Sequence, residues 1–169
     1  RKTAGRTARD GPGCRRRRWR LGAPPEDGFP DPRSPVLGWR AYRATPPADD
    51  YVDWTALRVA EKVPETGVEL TPDSFILEMG FERLHGVDFR KGCYVGQEVT
   101  ARMKHKTELR KGLARVRVIG AAGPGTEITA DGKIVGTLHS RSGDEALAYL
   151  RFDRATSAMR AGSAEVSLL

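Results

Sequence analysis

The residues best suited to chemistry surround one cysteine, Cys93. It lies in the segment Arg90-Lys91-Gly92-Cys93-Tyr94-Val95-Gly96-Gln97-Glu98-Val99-Thr100, between two cations and two glycines. A thiol acts as a nucleophile, a redox centre or a metal ligand only as the thiolate, which nearby cations and a helix N-terminus stabilise. Arg90 and Lys91 precede Cys93, and we expect a helix to begin near Gly96. The segment is therefore compatible with a functional thiolate, although the residues alone leave open a small, inert, buried side chain.

The partners that a catalytic or metal-bound cysteine needs are scarce in this sequence. Of the three histidines, His105 lies between two and three turns along the predicted second helix from its start near Gly96, which is too far to reach Cys93. His85 and His139 could approach only through the fold. The second cysteine, Cys14, is distant in sequence, and no Cys-x-x-Cys or His-x-x-x-His spacing occurs. We therefore predict no metal site, and we do not favour a Cys–His nucleophile.

Glu98 and Arg102 are a second pair of interest. They are four residues apart on the predicted helix, in the favourable order with the acid first. They could orient a ligand carboxylate or a partner chain. Equally, they could form a surface ion pair that contributes only a few tenths of a kcal/mol to stability, roughly the usual value for such pairs. The sequence alone favours the surface pair.

Helices that would position these residues are indicated by the spacing of apolar side chains. A first helix is predicted from Asp49 and Asp50 to about Lys62. A short helical turn is predicted around residues 75–79. On the second helix, Val99 and Met103 are four residues apart and should share one face.

Strands are predicted where the apolar period changes to two, after Lys106. Residues 114–118 alternate between apolar side chains and arginines, the pattern of a strand with one buried face. Further strands are predicted after Lys106 at 126–129, 134–140, 146–151 and 164–168, and one strand is predicted before the helices, at 36–42. Asp131-Gly132 is a two-residue hairpin signal. Several short strands at a spacing near ten residues predict a small antiparallel barrel or sandwich.

The positive charge of the chain is concentrated at its start. The formal net charge is +7, and residues 1–20 contain nine Arg or Lys against a single Asp, so the rest of the chain is nearly neutral. We interpret residues 1–34 as a disordered Arg/Pro/Gly-rich leader, with nucleic-acid binding and an organellar transit peptide as alternatives. Two cysteines give no disulfide framework, which favours a reducing compartment. No apolar run approaches the roughly 18 to 20 residues of a membrane span.

The segment Lys91-Gly92-Cys93-Tyr94-Val95-Gly96-Gln97-Glu98 resembles the signature of the YgfZ family. These are folate-binding proteins related to the glycine-cleavage aminomethyltransferase. The similarity continues on both sides of the signature and covers roughly residues 35–169. It includes Gly67–Pro72 and Leu84–Arg90 upstream, and Asp131–Thr137 and Ala146–Arg151 downstream.

The resemblance implies a protein that supports the assembly or repair of iron-sulfur clusters and, through a cluster-dependent partner, tRNA modification. Cys93 would be the functional thiol, and Arg102 would support Glu98. The residues that would shape the loop of the thiol are Lys91, Gly92, Tyr94, Gly96, Gln97 and Glu98. The implied cofactor is tetrahydrofolate, and the implied partners are iron-sulfur client or assembly proteins. The expected location is the bacterial cytoplasm, with the mitochondrial matrix as the alternative.

The predicted fold class is α+β, in three parts. Residues 1–34 form the leader, and residues 35–108 form a helical remnant of the central folate-binding, aminomethyltransferase-like domain with the cysteine motif. Residues 109–169 form a small antiparallel C-terminal β-barrel. Family members are longer and carry an N-terminal domain that forms most of the folate cavity, so we expect this chain to be a C-terminal portion.

Two alternative functions remain at the level of the sequence. A glycine-cleavage-type aminomethyltransferase would transfer a methylene group to tetrahydrofolate, but these relatives lack the cysteine in the matching stretch. A non-enzymatic nucleic-acid-binding protein would use the arginines at 15–18, although direct nucleic-acid binding is not favoured, because a block of like charge is usually a solvated tail. Whether the chain is an enzyme is left open, and a non-turnover accessory protein is favoured.

Overall fold

The computed structural model describes residues 15–19, 26–43, 52–105, 109–155 and 158–169, with 15–19 and 43 described by their backbone alone. The chain divides into two compact units between Val52 and Asp53, and each is considered by itself. The predictions that concern Cys14, Asp49, Asp50 and Lys106 lie outside the described residues. Within the described ranges, no helix has the length and apolar character needed to cross a bilayer.

The first unit contains a three-stranded antiparallel sheet. Its strands are β1 (Arg15–Trp19), β2 (Phe29–Pro30) and β3 (Trp39–Arg43), in the order β1-β3-β2. The strand predicted at 36–42 begins later than expected, because Pro35–Leu37 forms a 3₁₀ turn that ends at Gly38, which has a φ of 71°. Residues 1–34 were predicted to be a disordered leader, but within this range residues 15–19 and 29–30 form strands that pair with β3.

Two helices are present in the described part of the second unit. Helix α1 (Trp54–Ala60) begins later than predicted, because Asp53 is its N-cap and accepts a hydrogen bond from the Ala56 N–H at 2.8 Å. Helix α2 (Gln97–His105) begins directly after Gly96, which confirms the prediction for the second helix. Residues 64–96 between them form turns and loops.

Six strands form a closed antiparallel barrel in the order β4-β7-β6-β5-β8-β9. They are β4 (Lys111–Ile119), β5 (Glu127–Ala130), β6 (Lys133–Ser142), β7 (Glu145–Arg151), β8 (Met159–Ala161) and β9 (Ala164–Leu168). The barrel interior is apolar, and its largest fully buried side chains include Ile128, Leu138 and Leu150. The predicted α+β class with a C-terminal β-barrel is therefore confirmed.

A second apolar layer covers one outer side of the barrel. Leu147 lies between Ala146 and Ala148, which belong to the barrel interior, so the alternation of a strand directs Leu147 outward. It is nevertheless fully buried, and helix α1 contacts strands β6 and β7. Val59 and Val63 are equally buried at the end of α1. This layer attaches the segment that leads to Cys93 to the barrel.

Candidate functional site: the cysteine loop

Cys93 lies in the loop that leads into helix α2. Its side chain is free and exposed, which excludes the alternative of a small buried core residue. Among the described residues, none forms a hydrogen bond or an ion pair with the thiol. The sulfur is therefore accessible to another molecule, and its predicted activation stays a prediction.

The loop around the thiol is shaped by two glycines and one amide. Gly92 and Gly96 have φ values of 93° and 82°, in the left-handed region that favours glycine. An added Cβ would meet nothing within 4 Å at either position, so backbone conformation rather than space requires these glycines. The Tyr94 N–H donates to Gln97 Oε1 at 3.0 Å, and the Gln97 N–H donates to the Tyr94 carbonyl at 3.2 Å. This reciprocal pair closes the turn that starts α2.

The two cations before the cysteine have partners other than the thiol. The Arg90 N–H donates to Asp88 Oδ1 at 2.8 Å, and its exposed guanidinium Nε lies 3.6 Å from the same oxygen. Lys91 Nζ lies 4.9 Å from the centroid of the Tyr94 ring, a cation–π contact. Lys91 and Tyr94, which lie on either side of Cys93 in the loop, therefore contact each other.

Glu98 and Arg102 form an exposed ion pair on helix α2, with Arg102 Nη2 2.6 Å from Glu98 Oε1. They line a shallow, open depression together with Gln97, Ala101 and His105. Glu98 could accept hydrogen bonds from a pterin, and Arg102 could bind a glutamate carboxylate, but each now satisfies the other. A folate needs enclosure on several sides, so this depression does not fit folate by itself, and we derive no step through that cofactor.

The three histidines do not complete a catalytic pair with Cys93. His85 is exposed, with a φ of 56°, and His105 lies at the end of α2. His139 is partly buried on β6, where desolvation lowers its pKa and the charge of Glu69 opposes that shift. Within the described ranges, no group of three or more His, Cys, Asp or Glu side chains is arranged to hold a metal ion.

Exposed apolar residues lie near Cys93 in the sequence, and apolar spacing alone did not predict their exposure. Val99 and Met103 were predicted to share one face of α2, but Val99 is 53% exposed, and the buried residue of α2 is Thr100. Val95 is fully exposed, and Phe89 is 39% exposed. Apolar spacing indicates that a helix has an apolar face, but it does not show whether that face is covered within the same chain.

A buried polar cluster fixes the approach to the cysteine loop against the barrel. Arg58 of α1 donates from Nη2 to Ser140 Oγ at 2.9 Å and from Nη1 to Glu69 Oε2 at 3.3 Å. The Ser140 N–H of β6 donates to Glu69 Oε1 at 3.2 Å. Arg58 Nη2 also lies 3.1 Å from Glu65 Oε2. We call these four residues the anchor cluster, and no motif in the sequence indicated it.

Charge balance in the anchor cluster keeps Glu69 ionised. Burial by itself would raise the pKa of its carboxyl, but hydrogen bonds from Ser140 and the Glu65 N–H and the charge of Arg58 outweigh burial and lower the pKa. A second anchor joins Glu78 to the barrel, because the Tyr149 hydroxyl of β7 donates to Glu78 Oε2. Burial and the neighbouring Glu78 raise the pKa of Tyr149.

The barrel and the residues that precede it are similar to known proteins. Residues 110–169 match the family described as CAF17, C-terminal beta-barrel domain. Over a longer stretch, the chain is 36% identical across 135 residues to the human "Iron-sulfur cluster assembly factor IBA57, mitochondrial". The aligned stretch covers 71% of this chain and 38% of the human protein. The IBA57 protein of Mus musculus is 36% identical across 137 residues, 72% of this chain and 38% of that protein.

A fungal relative shows the same similarity over a shorter stretch. The IBA57 homolog of Mycosarcoma maydis is 40% identical across 91 residues, 48% of this chain and 23% of that protein. The chain thus spans about two fifths, 38%, of the length of the human and mouse IBA57 proteins. These matches support the broader relationship to the YgfZ and aminomethyltransferase-like family. The YgfZ branch and its signature stay a prediction.

Proposed function

We propose that this chain supports the assembly or repair of iron-sulfur clusters through the thiol of Cys93, as a portion of a longer YgfZ-type protein. The observation that carries the proposal is the free, exposed thiol held at the start of α2 by a glycine-flanked, hydrogen-bonded turn. Similarity to the human, mouse and fungal IBA57 proteins, which are named as iron-sulfur cluster assembly factors, supports it.

The thiol would act as a soft ligand or a redox partner for a cluster delivered by another protein. Iron-sulfur clusters are usually held by about four thiolates. Cys93 is the one described cysteine, so the remaining ligands would come from an iron-sulfur client or assembly protein. Its loop would present the sulfur, and the exposed Val95 and Val99 would lie close to that partner.

The proposal also includes tetrahydrofolate binding, an indirect effect on tRNA modification and a cellular location. The depression beside α2 is too open for a folate, so the chain would bind tetrahydrofolate only together with a further domain of a longer protein. An effect on tRNA modification would follow indirectly, through a cluster-dependent enzyme. The relatives are named as mitochondrial, which favours the mitochondrial matrix, the alternative location, over the bacterial cytoplasm.

The test replaces Cys93 by serine in the full chain and in its longer natural form, expressed in cells that lack the endogenous relative. The readout is the activity of a [4Fe–4S] enzyme in those cells. We expect Cys93→Ser to abolish restoration of that activity and Cys14→Ser, the matched control, to retain it. The Cys93→Ser variant should accumulate to wild-type levels, because Cys93 is exposed and replacing an exposed side chain changes the free energy of unfolding by less than about 0.5 kcal/mol.

Two results would contradict the proposal. Full restoration by the Cys93→Ser variant would remove the thiol from the mechanism. Methylene transfer to tetrahydrofolate by the longer form, retained in Cys93→Ser, would instead establish an aminomethyltransferase. A titration of both forms with tetrahydrofolate, followed by calorimetry, measures folate binding independently of the cellular readout.

A further inference from the structure

The sheet of the first unit carries an exposed pair of stacked aromatic rings. The rings of Phe29 on β2 and Tyr42 on β3 have centroids 5.7 Å apart and an interplanar angle of 24°. Phe29 is 40% exposed and Tyr42 is 45% exposed. Two stacked rings that remain open to solvent offer π-faces on which another planar group can stack.

The strand register places the arginine run beside these rings. β1 pairs with β3 so that Arg16 is opposite Tyr42 and Arg18 is opposite Arg40. Phe29 of β2 is opposite the same Arg40. Directly opposed residues of an antiparallel pair belong to the same face of a sheet. Positions 16, 18, 29, 40 and 42 therefore share one face, which we call the aromatic–arginine face.

A buried carboxylate fixes the part of this sheet that carries the rings. Asp31 is buried, and its Oδ2 accepts hydrogen bonds from Arg33 Nη2 at 2.7 Å and from Arg40 Nε at 2.8 Å. Burial opposes the ionisation of Asp31, but the hydrogen bonds from Arg33 and Arg40 lower its pKa to about 2. The carboxylate is thus permanently charged near neutral pH and holds two arginines of the sheet.

Residues 15–43 keep a strongly positive net charge after Asp31 has paired with Arg33 and Arg40. Residues 15–43 contain eight arginines against three acidic residues. Two of the arginines share Asp31, and four more are consecutive in β1. The interpretation of the arginine run as a solvated tail does not account for its pairing with β3 beside two aromatic rings. Excess positive charge next to open aromatic faces complements phosphates and bases together.

We propose that the aromatic–arginine face binds single-stranded nucleic acid. The positive charge of the arginine run attracts phosphates, and unpaired bases stack on the outer faces of Phe29 and Tyr42. A duplex would be bound more weakly, because its base pairs hide the π-faces that these rings engage. The face is formed by residues other than those of the cysteine loop, and nothing in the proposed cluster chemistry requires it.

The experiment measures binding of the full chain to a fluorescent 20-nucleotide oligo(U) by anisotropy, at salt concentrations from 50 to 200 mM. The double variant Phe29→Leu/Tyr42→Leu removes both rings and keeps apolar bulk, and Phe75→Leu is the matched control at another exposed phenyl group. We expect the double variant to bind at least about fivefold more weakly, the lower end of the loss for one base–aromatic stack. Phe75→Leu and Cys93→Ser should bind like the wild type.

A charge variant tests the second half of the proposal. Replacing arginines 15 to 18 by glutamine should reduce the dependence of log K on log salt concentration by about 0.7 for each phosphate that the chain no longer neutralises. Tyr42→Phe keeps the ring stack and should bind like the wild type, so it separates the contribution of the Tyr42 ring from that of its hydroxyl. Circular dichroism of each variant confirms that the chain is folded.

Several results would overturn the proposal. One is the absence of oligonucleotide binding at 50 mM salt. Another is equal affinity of the wild type and the double leucine variant, which would indicate attraction to any polyanion. Tighter binding to polyglutamate, to a 20-base-pair duplex or to vesicles with phosphatidylglycerol than to oligo(U) would assign the face to a different ligand. The Cys93→Ser chain shows whether such a result is independent of the cluster-related function.

Discussion

Gly136 on β6 shows how a single residue sets the geometry of the barrel. An ideal Cβ built there would lie 2.5 Å from Leu150 Cδ2 and would also collide with the carbonyl oxygen of Tyr149. Both neighbours belong to β7, the strand that pairs with β6. Two strands can approach this closely because the glycine has no side chain. The requirement here is for space, whereas at Gly92 and Gly96 it is for backbone conformation.

We expect Gly136→Ala to destabilise the chain by about 2 to 3 kcal/mol, in the range for overpacking a buried position. The matched control is Gly123→Ala, since an added Cβ at Gly123 would meet nothing within 4 Å. Chemical denaturation of the two variants measures the difference in the free energy of unfolding. Equal stabilities would mean that β6 and β7 separate without cost, contrary to the packing described above.

At the level of elements, the anchor cluster and the Glu78–Tyr149 hydrogen bond attach the segment that leads to Cys93 to the barrel. Arg58 comes from α1, Glu69 from the following turn and Ser140 from β6. Arg115 of β4 adds a contact, because its Nη1 donates to the Ala60 carbonyl at the end of α1 at 3.1 Å. The start of the cysteine segment is thereby tied to the barrel by side chains from three strands.

Glu69→Gln should lower the free energy of unfolding by about 3 kcal/mol near neutral pH, the scale for breaking a buried ion pair. Glu98→Gln, which breaks the exposed pair on α2, should cost less than about 0.5 kcal/mol. Urea denaturation measures both. Comparable effects of the two substitutions would show that burial adds nothing to the Arg58–Glu69 interaction.

The same variant predicts a pH dependence with a defined sign. The folded chain has a Glu69 pKa below the unfolded value of 4.5. The stabilisation from its ionised form is therefore complete above that value and is lost as the pH falls through the folded pKa. The stability difference between wild type and Glu69→Gln should thus shrink below pH 4.5. A difference that grows on acidification would contradict the charge assignment of Glu69.

Elements with a clear period were predicted well, and elements fixed by long-range contacts were not. The start of α2 and most barrel strands follow from apolar spacing and from the Asp131-Gly132 hairpin, in which both residues have positive φ. Strand β8 was missed because three residues are too few for an alternation of apolar and polar side chains to indicate a strand. The anchor cluster was missed because Arg58 and Ser140 are 82 residues apart in sequence. For the candidate site, the loop of Cys93 could be located from the sequence. The exposure of Val95 and Val99 could not, because it depends on the packing of the whole second unit.

At the scale of the whole molecule, the described structure combines a tightly paired barrel with more open segments. Each barrel strand is hydrogen-bonded to two neighbours around an apolar interior. The loop of Cys93 is exposed, and β2 of the N-terminal sheet has only two residues. Stability is therefore distributed unevenly, because open segments can unfold locally at low free-energy cost.

Hydrogen–deuterium exchange followed by mass spectrometry should resolve this distribution. Peptides from β4, β6 and β7 should exchange slowest, since their amides are released only when the barrel opens. Peptides covering residues 86–96 and 26–43 should exchange faster under the same conditions. The prediction fails if the cysteine loop is protected as strongly as the barrel strands in the isolated chain.

The closed order of the six barrel strands also decides where the chain is open to self-association. A strand whose backbone groups lack a neighbour can template the addition of another strand and so start aggregation. The closed barrel offers no such edge, whereas among the described strands β1 is an outer strand of the three-stranded sheet. Four consecutive arginines occupy that outer strand. Their mutual repulsion would discourage the β1 strand of a second copy from adding there, so the arginines that we propose to attract phosphates would also disfavour self-association at this edge.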